Sequence, residues 1–476
     1  MLNVEAHPEN EKIFNSLLQT IGVGHEAFNG RVSIQGFDPV VSSRHRIGGA
    51  TASALAAQGT ALAAIWKQKT GRDQDISVEV RRAAVPGLRT AYHLSQNGYP
   101  VDVFPRSPYP QTDFFRARDG RQIYILRSPM YSQNLLGTLE LLKCSLDPTD
   151  MSRAVMQWDG FELEEAMAER KLVGVMCRTR EEWLAHPQGK WLASRPPVQI
   201  EKIGESEPIP LPNGVRPLGG LRVMDFAHVL AGPVTSRMLA EHGADVLRIT
   251  APHQHDQLFC ALDTGVGKRS ANLNLERPAD VEHAKVLAAT ADVFAHSWRP
   301  GSLDARGLSP EALAEIRPGI IYVSVSAYGS GGPWKMRGGY EPVGQAVCGL
   351  SFDEGSIDSP QLSPTGTLND YLTAYLSAAG ILGALLRRAR EGGSYHVTAS
   401  LTRTSMWLQE IGQLPRSEWP KDMRLMDPLP SDMQVIQSPY GSITLPSPIT
   451  QFSETRAYWD RGPEPFGASC AEWLPK

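Results

Sequence analysis

Asp370 stands where a side-chain carboxylate could act as a nucleophile. It directly precedes the apolar stretch Tyr371–Leu386, which we expect to form a buried helix. The start of a helix favours the ionised form of a carboxylate and stabilises negative charge that develops nearby, as attack on a carbonyl requires. An aspartate that only caps the helix explains the same placement, so the residue alone does not decide between the two roles.

The run Val223–Met238 combines a strand, the tripeptide Ala-Gly-Pro and a helix, a pattern that can hold a phosphate at a helix start. It is not the GxGxxG fingerprint, and no acidic residue ends the next strand to bind a ribose hydroxyl. Arg248 lies on that strand instead, where a cation suits a phosphorylated ribose, as in NADP or coenzyme A. A tight turn beside a strand-end arginine explains the same residues without a ligand.

More cations follow in loops that glycine makes accessible. Lys268 and Arg269 come after two glycines in TGVGKRSANLNL, so both could meet phosphates. Arg299 lies in SWRPG beside Trp298, whose ring is available to stack on a base. The alternative for this second motif is a loop arginine beside a buried tryptophan.

No metal or disulfide chemistry is predicted. His253 and His255 form an HxH pair in APHQHDQ, but they follow a proline without an HExxH motif, so we interpret them as part of a polar loop. The 5 cysteines are far apart, odd in number and without a CxxC pair. Free thiols in a reducing compartment fit this pattern.

Charge and hydropathy exclude several classes of protein. The net charge of −4 argues against a general nucleic-acid binder. The N-terminal MLNVEAHPENEKIF contains acidic residues and no apolar core, so we expect no signal peptide. The apolar stretch after Asp370 is shorter than the roughly 20 residues that cross a bilayer. We therefore expect a cytoplasmic protein without a membrane or nucleic-acid partner.

Strands and helices that alternate after residue 218 must position these side chains. We predict strands at Leu221–Phe226, Ala244–Thr250, ADVFAHS and Ile320–Tyr328, and helices at Ala279–Thr290 and Ser309–Ile316. Such alternation indicates βαβ units on a parallel sheet. The predicted fold class is α/β, with a doubly wound parallel-sheet domain and a smaller α+β domain before it.

An internal repeat is visible when Gly59 is aligned with Gly380, an offset of 321 residues. Each copy contains a helix, a basic end, a glycine and a strand. Gly49 then stands opposite Asp370, so only the second copy has a carboxylate at its helix start. The alternative explanation is that the two segments share sequence features common to many helices, without a duplication.

Five blocks of the second half resemble the family III CoA-transferases, the CaiB/BaiF family that includes formyl-CoA transferase, carnitine CoA-transferase and 2-methylacyl-CoA racemase. They occur in the family's order over roughly residues 216–408. The blocks are LGGLRVMDFAHVLAGPVTSRMLAEHGADVLRIT, GKRSANLNL, DVFAHSWRPGSLDARGLSPEAL, IYVSVSAYGSGGPWKMRGGYEPVGQAVCGL and LNDYLTAYLSAAGILGALLRRAREGGSYHVTASL.

The resemblance implies a Rossmann-like domain, a coenzyme A thioester as substrate, and no permanently bound cofactor or metal. It implies that Asp370 is the nucleophile and carries coenzyme A between carboxylic acids as an aspartyl-CoA thioester. The expected partners are an acyl-CoA, a carboxylic acid acceptor and a second copy in a homodimer. The implied substrate and coenzyme A contacts are His228, Val229, Ala231, Arg248, Lys268, Arg269, Arg299, Arg337 and Tyr340.

The order of segments differs from that of the family, in which the Rossmann part comes first. We expect a degenerate first copy with a helix and a small α+β domain at 1–204, and a proline-rich linker at 205–217. The domain with the nucleophile is expected at 218–410 and a C-terminal return segment at 411–476.

Three alternatives to a transferase stay open. A racemase of this family uses a histidine where this chain has Tyr340, so the tyrosine favours the transferase branch. A non-catalytic CoA-binding paralogue fits the rearranged order and the glycine-rich closing loop that we do not find. An NADP-dependent enzyme is the most distant alternative.

Overall fold

The computed structural model describes residues 3–103, 112–128, 131–253, 256–419 and 427–475. Its strands are β1 (Asn3–Ala6), β2 (Arg31–Gln35), β3 (Ile76–Glu79), β4 (Ser95–Gln96), β5 (Tyr99–Pro100), β6 (Thr112–Arg116), β7 (Gln122–Leu126), β8 (Gly174–Met176), β9 (Val198–Gly204), β10 (Arg222–Phe226), β11 (Asp245–Thr250), β12 (Lys268–Asn272), β13 (Val293–His296), β14 (Ile321–Ser326), β15 (Ser394–Ser400), β16 (Met433–Ser438), β17 (Gly441–Pro446) and β18 (Gln451–Phe452). Its α-helices are α1 (Pro8–Ile21), α2 (Ile47–Thr70), α3 (Val80–Leu88), α4 (Ser132–Leu142), α5 (Pro148–Val155), α6 (Gly160–Glu169), α7 (Arg180–Ala185), α8 (Pro187–Ala193), α9 (Ala231–Ala240), α10 (Leu258–Thr264), α11 (Pro278–Ala288), α12 (Pro310–Ile316), α13 (Glu341–Cys348), α14 (Leu350–Glu354), α15 (Leu368–Glu391) and α16 (Leu401–Ile411).

The largest sheet has seven strands in the order β12-β11-β10-β13-β14-β15-β9. The first six run parallel, and β9 pairs antiparallel with β15. From β10 the chain winds outward to β12 on one side and then to β15 on the other, so the winding direction changes between β10 and β13. In sheets of this kind the crevice at that change, beyond the carboxyl ends of the strands, is where ligands bind. The predicted α/β class, with a large parallel sheet, is confirmed.

The predicted elements of the second half are present with small shifts of their ends. Four predicted strands correspond to β10, β11, β13 and β14, and the two predicted helices correspond to α11 and α12. Ser309 caps α12, as its Ser-Pro start predicts, because its hydroxyl accepts a hydrogen bond from the amide of Ala312. Local hydrophobic periodicity was sufficient here because each buried strand is bounded by polar turns.

The smaller sheets of the described ranges are antiparallel, except that β1, β2 and β3 run parallel in the four-stranded sheet β1-β2-β3-β18. Strands β6, β7 and β8 form one sheet, in which β6 and β7 are an antiparallel hairpin. The C-terminal segment returns to the first part of the chain, where β17 pairs with β4 and β18 pairs with β3. Strand β9, which precedes the predicted linker, joins the seven-stranded sheet.

The element order of the second half recurs near the N-terminus. Helices α2 and α15 each have 24 residues, and their bounds coincide under the offset of 321 that the sequence alignment uses. A strand and a helix follow each of them, β3 and α3 in one case and β15 and α16 in the other. The parallel set β1-β2-β3 likewise corresponds to β13-β14-β15, and NVEAH at 3–7 resembles DVFAH at 292–296.

Helix α15 lies at the centre of the molecule, between α2 and α9 and against β14 and β15. Its residues from Leu368 to Leu385 are all buried. Burial on every side, more than intrinsic helix propensity, stabilises a helix with this composition. None of the helices in the described ranges is long and apolar enough to cross a bilayer.

Candidate active site

Asp370 is the third residue of α15, and Thr367 occupies the N-cap position. The alternative interpretation, that Asp370 is the helix cap, is therefore wrong. Its side chain is 8% exposed, and no group in the described part of the chain donates a hydrogen bond to it. Burial raises the pKa of the Asp370 carboxyl to about 7. A buried carboxyl with free acceptor atoms that lines a cavity is available to a ligand or an electrophile.

Glu341 supplies the capping function that Asp370 does not. Its Oε1 accepts hydrogen bonds from the backbone amide of Asn369 (3.1 Å) and from Nε2 of Gln345 (2.5 Å). Asn369 is held in turn by the hydroxyl of Ser405, which donates to its Oδ1 at 2.9 Å. Burial, and then the neighbouring Asp370 carboxylate, raises the pKa of Glu341 to about 8. Two carboxyl groups thus share the start of α15, and only one is tied into a hydrogen-bond network.

A cavity of about 230 Å³ lies over Asp370. The second half of the chain lines it with the loop before α9, the segment around Tyr340 and the start of α15. The first part of the chain supplies Tyr92, Val103, Leu126 and Tyr131. The two parts therefore line one cavity within a single chain.

Residues His228–Ala231, which the sequence analysis gives as coenzyme A contacts, line this cavity. The hydroxyl of Ser297 lies 3.0 Å from Nδ1 of His228 and also accepts its backbone amide at 3.0 Å. Val229 has φ +65°, a left-handed conformation that is strained for a β-branched residue and is found mostly at functional sites. A Cβ at Gly232 would lie 2.5 Å from that of Ala227, so only glycine lets α9 approach the preceding turn so closely.

A second cavity, of about 360 Å³, adjoins the first through His228. It lies beyond the carboxyl ends of β10, β11, β12 and β13, at the change of winding direction. Asn274, Trp298 and Arg306 line it, so it offers an aromatic face and a cation to an elongated ligand. His253 lines it as well, whereas His255 lies outside the described residues.

Lys268 is not available to a phosphate, contrary to the prediction. It is 1% exposed, and its Nζ donates to Oδ2 of Asp225 (2.7 Å), the carbonyl of Pro233 (2.6 Å) and the hydroxyl of Ser236 (2.9 Å). These three bonds use every donor of a lysine ammonium. Burial lowers the pKa of Lys268 to about 8 even with Asp225 beside it. The residue anchors the start of α9 and does not line either cavity.

Three more predicted cations are paired within the protein and lie away from Asp370. Arg248 is bonded to Asp256, whose other oxygen accepts the amide of Val229 at 3.1 Å, so Arg248 acts on the site only through that loop. Arg269 pairs with Asp245 at 3.1 Å. Arg337 pairs with Glu165 at 2.5 Å and stacks on Trp334.

Of the two predicted residues that remain, Tyr340 lies at the first cavity and Arg299 lies behind its wall, beside Gly338. Tyr340 lines the cavity, and its ring stacks on Tyr131 with centroids 4.0 Å apart. Burial raises the pKa of Tyr340 to about 12. Arg299 lies beside Gly338, close enough that a Cβ on that glycine would be 2.7 Å from its Nη2. Its charge opposes part of the rise in the Tyr340 pKa.

The sequence reasoning missed Glu341, Tyr92, Tyr131 and Arg306. Glu341 directly follows a predicted residue, but its partner Asn369 is 28 positions away. Tyr92 and Tyr131 come from the other part of the chain, and no local pattern relates them to Asp370. Arg306 follows the predicted SWRPG motif by a few residues and had no distinguishing neighbour.

The first copy does not repeat this arrangement. At the start of α2 the carboxylate of Asp38 accepts the backbone amides of Gly48 (3.1 Å) and Gly49 (2.7 Å). A Cβ on Gly49 would lie 2.3 Å from Oδ1 of Asn10. The position that matches Asp370 is therefore filled by neighbouring side chains. Throughout the described ranges, His, Cys, Asp and Glu side chains do not gather in groups of three or more that could hold a metal ion.

Comparison with known proteins matches part of the chain to a protein family. The sequence model of CoA-transferase family III matches residues 218–423. Acetyl-coenzyme A transferase nodX of Hypoxylon pulicicidum is 29% identical over 341 residues, which cover 65% of this chain and 56% of the relative. The β subunit of succinyl-CoA–L-malate CoA-transferase of Chloroflexus aurantiacus is 34% identical over 198 residues, or 39% of this chain and 49% of the relative.

Human succinyl-CoA:glutarate CoA-transferase is 31% identical over 201 residues, which cover 40% of this chain and 46% of the relative. The chain thus spans about half the length of the curated relatives that it matches. Among solved structures, a CaiB/BaiF family protein from Brucella suis is 27% identical, with a TM-score of 0.36 over 48% of this chain and 65% of that one. Over residues 218–423, the chain is therefore similar to CoA-transferase family III.

Proposed function

We propose that the protein is an acyl-CoA:carboxylate CoA-transferase with Asp370 as its nucleophile. The observation that carries the proposal is the Asp370 carboxyl, buried at the start of α15, unbonded in the described part of the chain and exposed only to the first cavity. The second cavity, joined to the first through His228, supports an elongated substrate such as coenzyme A. Relatives named as CoA-transferases support the same reaction class.

The reaction has four covalent steps. The Asp370 carboxylate attacks the thioester carbonyl of the donor, the C–S bond breaks, and coenzyme A leaves as a thiolate. That thiolate attacks the aspartyl carbonyl of the mixed anhydride and releases the donor acid. The carboxylate of the acceptor then attacks the aspartyl thioester and expels the thiolate again. Attack of the thiolate on the acceptor's carbonyl gives the new acyl-CoA and restores the Asp370 carboxylate.

The residues around Asp370 fit this series of reaction steps. Each step consumes an anion and produces another, so the cycle needs no net proton transfer. Burial weakens the solvation of the Asp370 carboxylate, which raises both its pKa and its reactivity toward a bound carbonyl. Tyr131 and Tyr340 cover the cavity and exclude water, which would otherwise hydrolyse the anhydride.

The second cavity is the proposed site of the nucleotide end of coenzyme A. It lies at the change of winding direction of the sheet, where nucleotides bind in doubly wound folds. Arg306 supplies a cation and Trp298 a ring for stacking. Of the predicted contacts, we propose His228, Val229 and Ala231 for the thioester end, and Arg299 beside them. Arg248 positions the loop of Val229 through Asp256.

A racemase is the second candidate, and the geometry argues against it. Racemisation at the α-carbon requires a group that donates and accepts a proton near neutral pH opposite the aspartate. With a pKa of about 12, the Tyr340 hydroxyl stays protonated and is a poor base. Exchange of the α-hydrogen of a 2-methylacyl-CoA in D₂O, without CoA transfer, would favour this candidate.

The proposal is tested by a transfer assay with the D370N variant. The purified chain is incubated with a mixed pool of acyl-CoA donors and free acids, and new thioesters are detected by mass spectrometry. We expect D370N to reduce transfer by at least about 10³-fold while coenzyme A still binds. The exposed carboxylate of Asp358 provides the matched control D358N, which should retain activity. Full activity in D370N would overturn the proposal, and CoA binding without turnover in the parent chain would favour the non-catalytic paralogue.

A further inference from the structure

The walls of the first cavity are largely apolar and aromatic. The side chains opposite Asp370 are Val103, Leu126, Tyr131, Phe259, Leu362 and Leu401. They come from at least five different segments of the chain, so the apolar surface is not the by-product of one hydrophobic helix. The group that occupies the cavity must bury its own surface against them to bind.

The charges in the same cavity have one sign. Asp370 and Glu341 are carboxyl groups, and among the described residues that line the cavity there is neither a lysine nor an arginine. Burial lowers the pKa of His228, so its imidazole is neutral. Lys268, Arg248 and Arg337 are held by other carboxylates, as shown above.

A substrate with a second carboxylate would therefore bring an unpaired negative charge beside two existing carboxyl groups. Such a charge loses its hydration, and none of the described residues that line the cavity is a cation that could pair with it. Arg299 lies behind the wall, beside Gly338, and does not line the cavity. The lost hydration is therefore costly. A methyl or phenyl group in the same place carries no charge whose hydration would be lost, and it gains contact with the apolar walls.

The volume sets a limit on the size of the acyl group. A cavity of about 150 Å³ lined by apolar side chains holds one benzene molecule. The cavity over Asp370 is larger, at about 230 Å³, and must also admit the thioester carbonyl. An acyl group of about five to nine carbon atoms fits this space.

We propose that the transferred acyl groups belong to apolar monocarboxylic acids, aliphatic or aryl, of about five to nine carbons, and that dicarboxylic acids are rejected. This inference rests on the proposed function, because it assigns the cavity to the acyl group of the thioester. It separates this chain from transferases whose acids carry two carboxylates.

Pentanoyl-CoA and glutaryl-CoA test the inference as a matched pair, because they differ only by a terminal methyl against a carboxylate. Binding is measured by calorimetry on D370A, and again on D370N, so that no turnover disturbs the equilibrium. We expect pentanoyl-CoA to bind at least about 30-fold more tightly. Equal affinity, tighter binding of glutaryl-CoA, or no binding of either thioester would overturn the inference.

The L362R variant provides a gain-of-function arm. Leu362 is half-buried and lies in the loop before α15, where an added cation can reach the cavity. We expect L362R to improve glutaryl-CoA binding by about tenfold relative to L362Q, which adds polarity without charge. Residues 104–111 lie outside the described part of the chain, so R106A is included to test whether that arginine serves a dicarboxylate.

The binding measurement tests the substrate inference and the transfer measurement tests the proposed function, so each claim can be contradicted without the other. A preference for pentanoyl-CoA without any transfer in the parent chain would contradict the proposed function and leave the substrate inference intact. Transfer with equal use of both thioesters would support the proposed function and contradict the substrate inference.

Discussion

The ring of Tyr131 stacks on the ring of Tyr340 with their centroids 4.0 Å apart, and this contact joins the two parts of the chain over Asp370. Tyr131 lies just before α4 and Tyr340 just before α13, so the two residues are far apart in sequence. The segment before the linker therefore lines the cavity of the proposed active site.

Replacement of Tyr131 should weaken the substrate site more than the fold. We expect Y131A to raise KM for the acyl-CoA by about tenfold and to lower the free energy of unfolding by about 1–2 kcal/mol, because it removes a stacked ring and part of a cavity wall. Y131F keeps the ring and should retain both values. The exposed Tyr99 gives the control Y99A. If Y131A left KM unchanged, the first segment would not contact the substrate.

We expect the ionised carboxylate of Asp370 to lower the free energy of unfolding at the pH values at which it can act as a nucleophile. Burial raises its pKa from the ordinary 3.8 to about 7, so the folded chain binds this proton more tightly than the unfolded chain. Its favourable contribution is thus complete below the ordinary value and is lost as the pH rises through about 7. We expect D370N to be more stable than the parent by on the order of 2 kcal/mol at pH 8, with little difference at pH 4.

Denaturant unfolding at both pH values measures this difference, with D358N as the control. A stability gap between D370N and the parent that does not change with pH would show that the carboxyl is not held at a raised pKa.

Lys268 should prove structural. K268M leaves the carboxylate of Asp225 buried and unpaired, so we expect the free energy of unfolding to fall by about 3–5 kcal/mol. The coenzyme A affinity of the folded protein should stay within about twofold of the parent value. R306A, by contrast, should weaken coenzyme A binding by about tenfold because it removes a cation from the second cavity.

Calorimetry with coenzyme A, together with thermal unfolding, distinguishes these two effects, and the exposed Lys190 gives the control K190M. A stable K268M protein that has lost its affinity for coenzyme A would show that Lys268 contacts coenzyme A.

A carboxylate at position 49 should not create a second active centre. The new side chain of G49D would meet Asn10 at 2.3 Å and the carboxylate of Asp38 at 3.0 Å. We expect G49D to lose at least about 2 kcal/mol of stability and to fail to restore transfer when it is combined with D370N. Transfer by the double variant would show that the first copy retains a working site.

The central sheet was predictable, and Asp370 could be proposed as the nucleophile, because their signals are local. Strand β10 is a mostly buried run of 5 residues, and Asp370 directly precedes a long apolar stretch. The role of Lys268 was not predictable from the sequence, since its partner Asp225 is 43 positions away on another strand. A lysine after glycines suits a phosphate and a buried carboxylate equally well, and only the fold decides which it meets.

The same limit explains the missed cavity walls. Tyr92 and Tyr131 reach Asp370 because the two parts of the chain pack together through α2 and α15. The sequence repeat indicated that both helices exist, but it contained no information about which copy covers the other. The tertiary contact, not a motif, brings these tyrosines to the site.

The most direct measurement of the central claim is to trap the covalent intermediate. The protein is incubated with the acyl-CoA pool and quenched with hydroxylamine or borohydride, and the peptide that covers residues 363–387 is mapped by mass spectrometry. Conversion of Asp370 to its hydroxamate, or to the reduced alcohol, is the predicted result, with no change in D370N. An unmodified peptide, while the parent chain consumes thioesters, would contradict the assignment of Asp370 as the nucleophile.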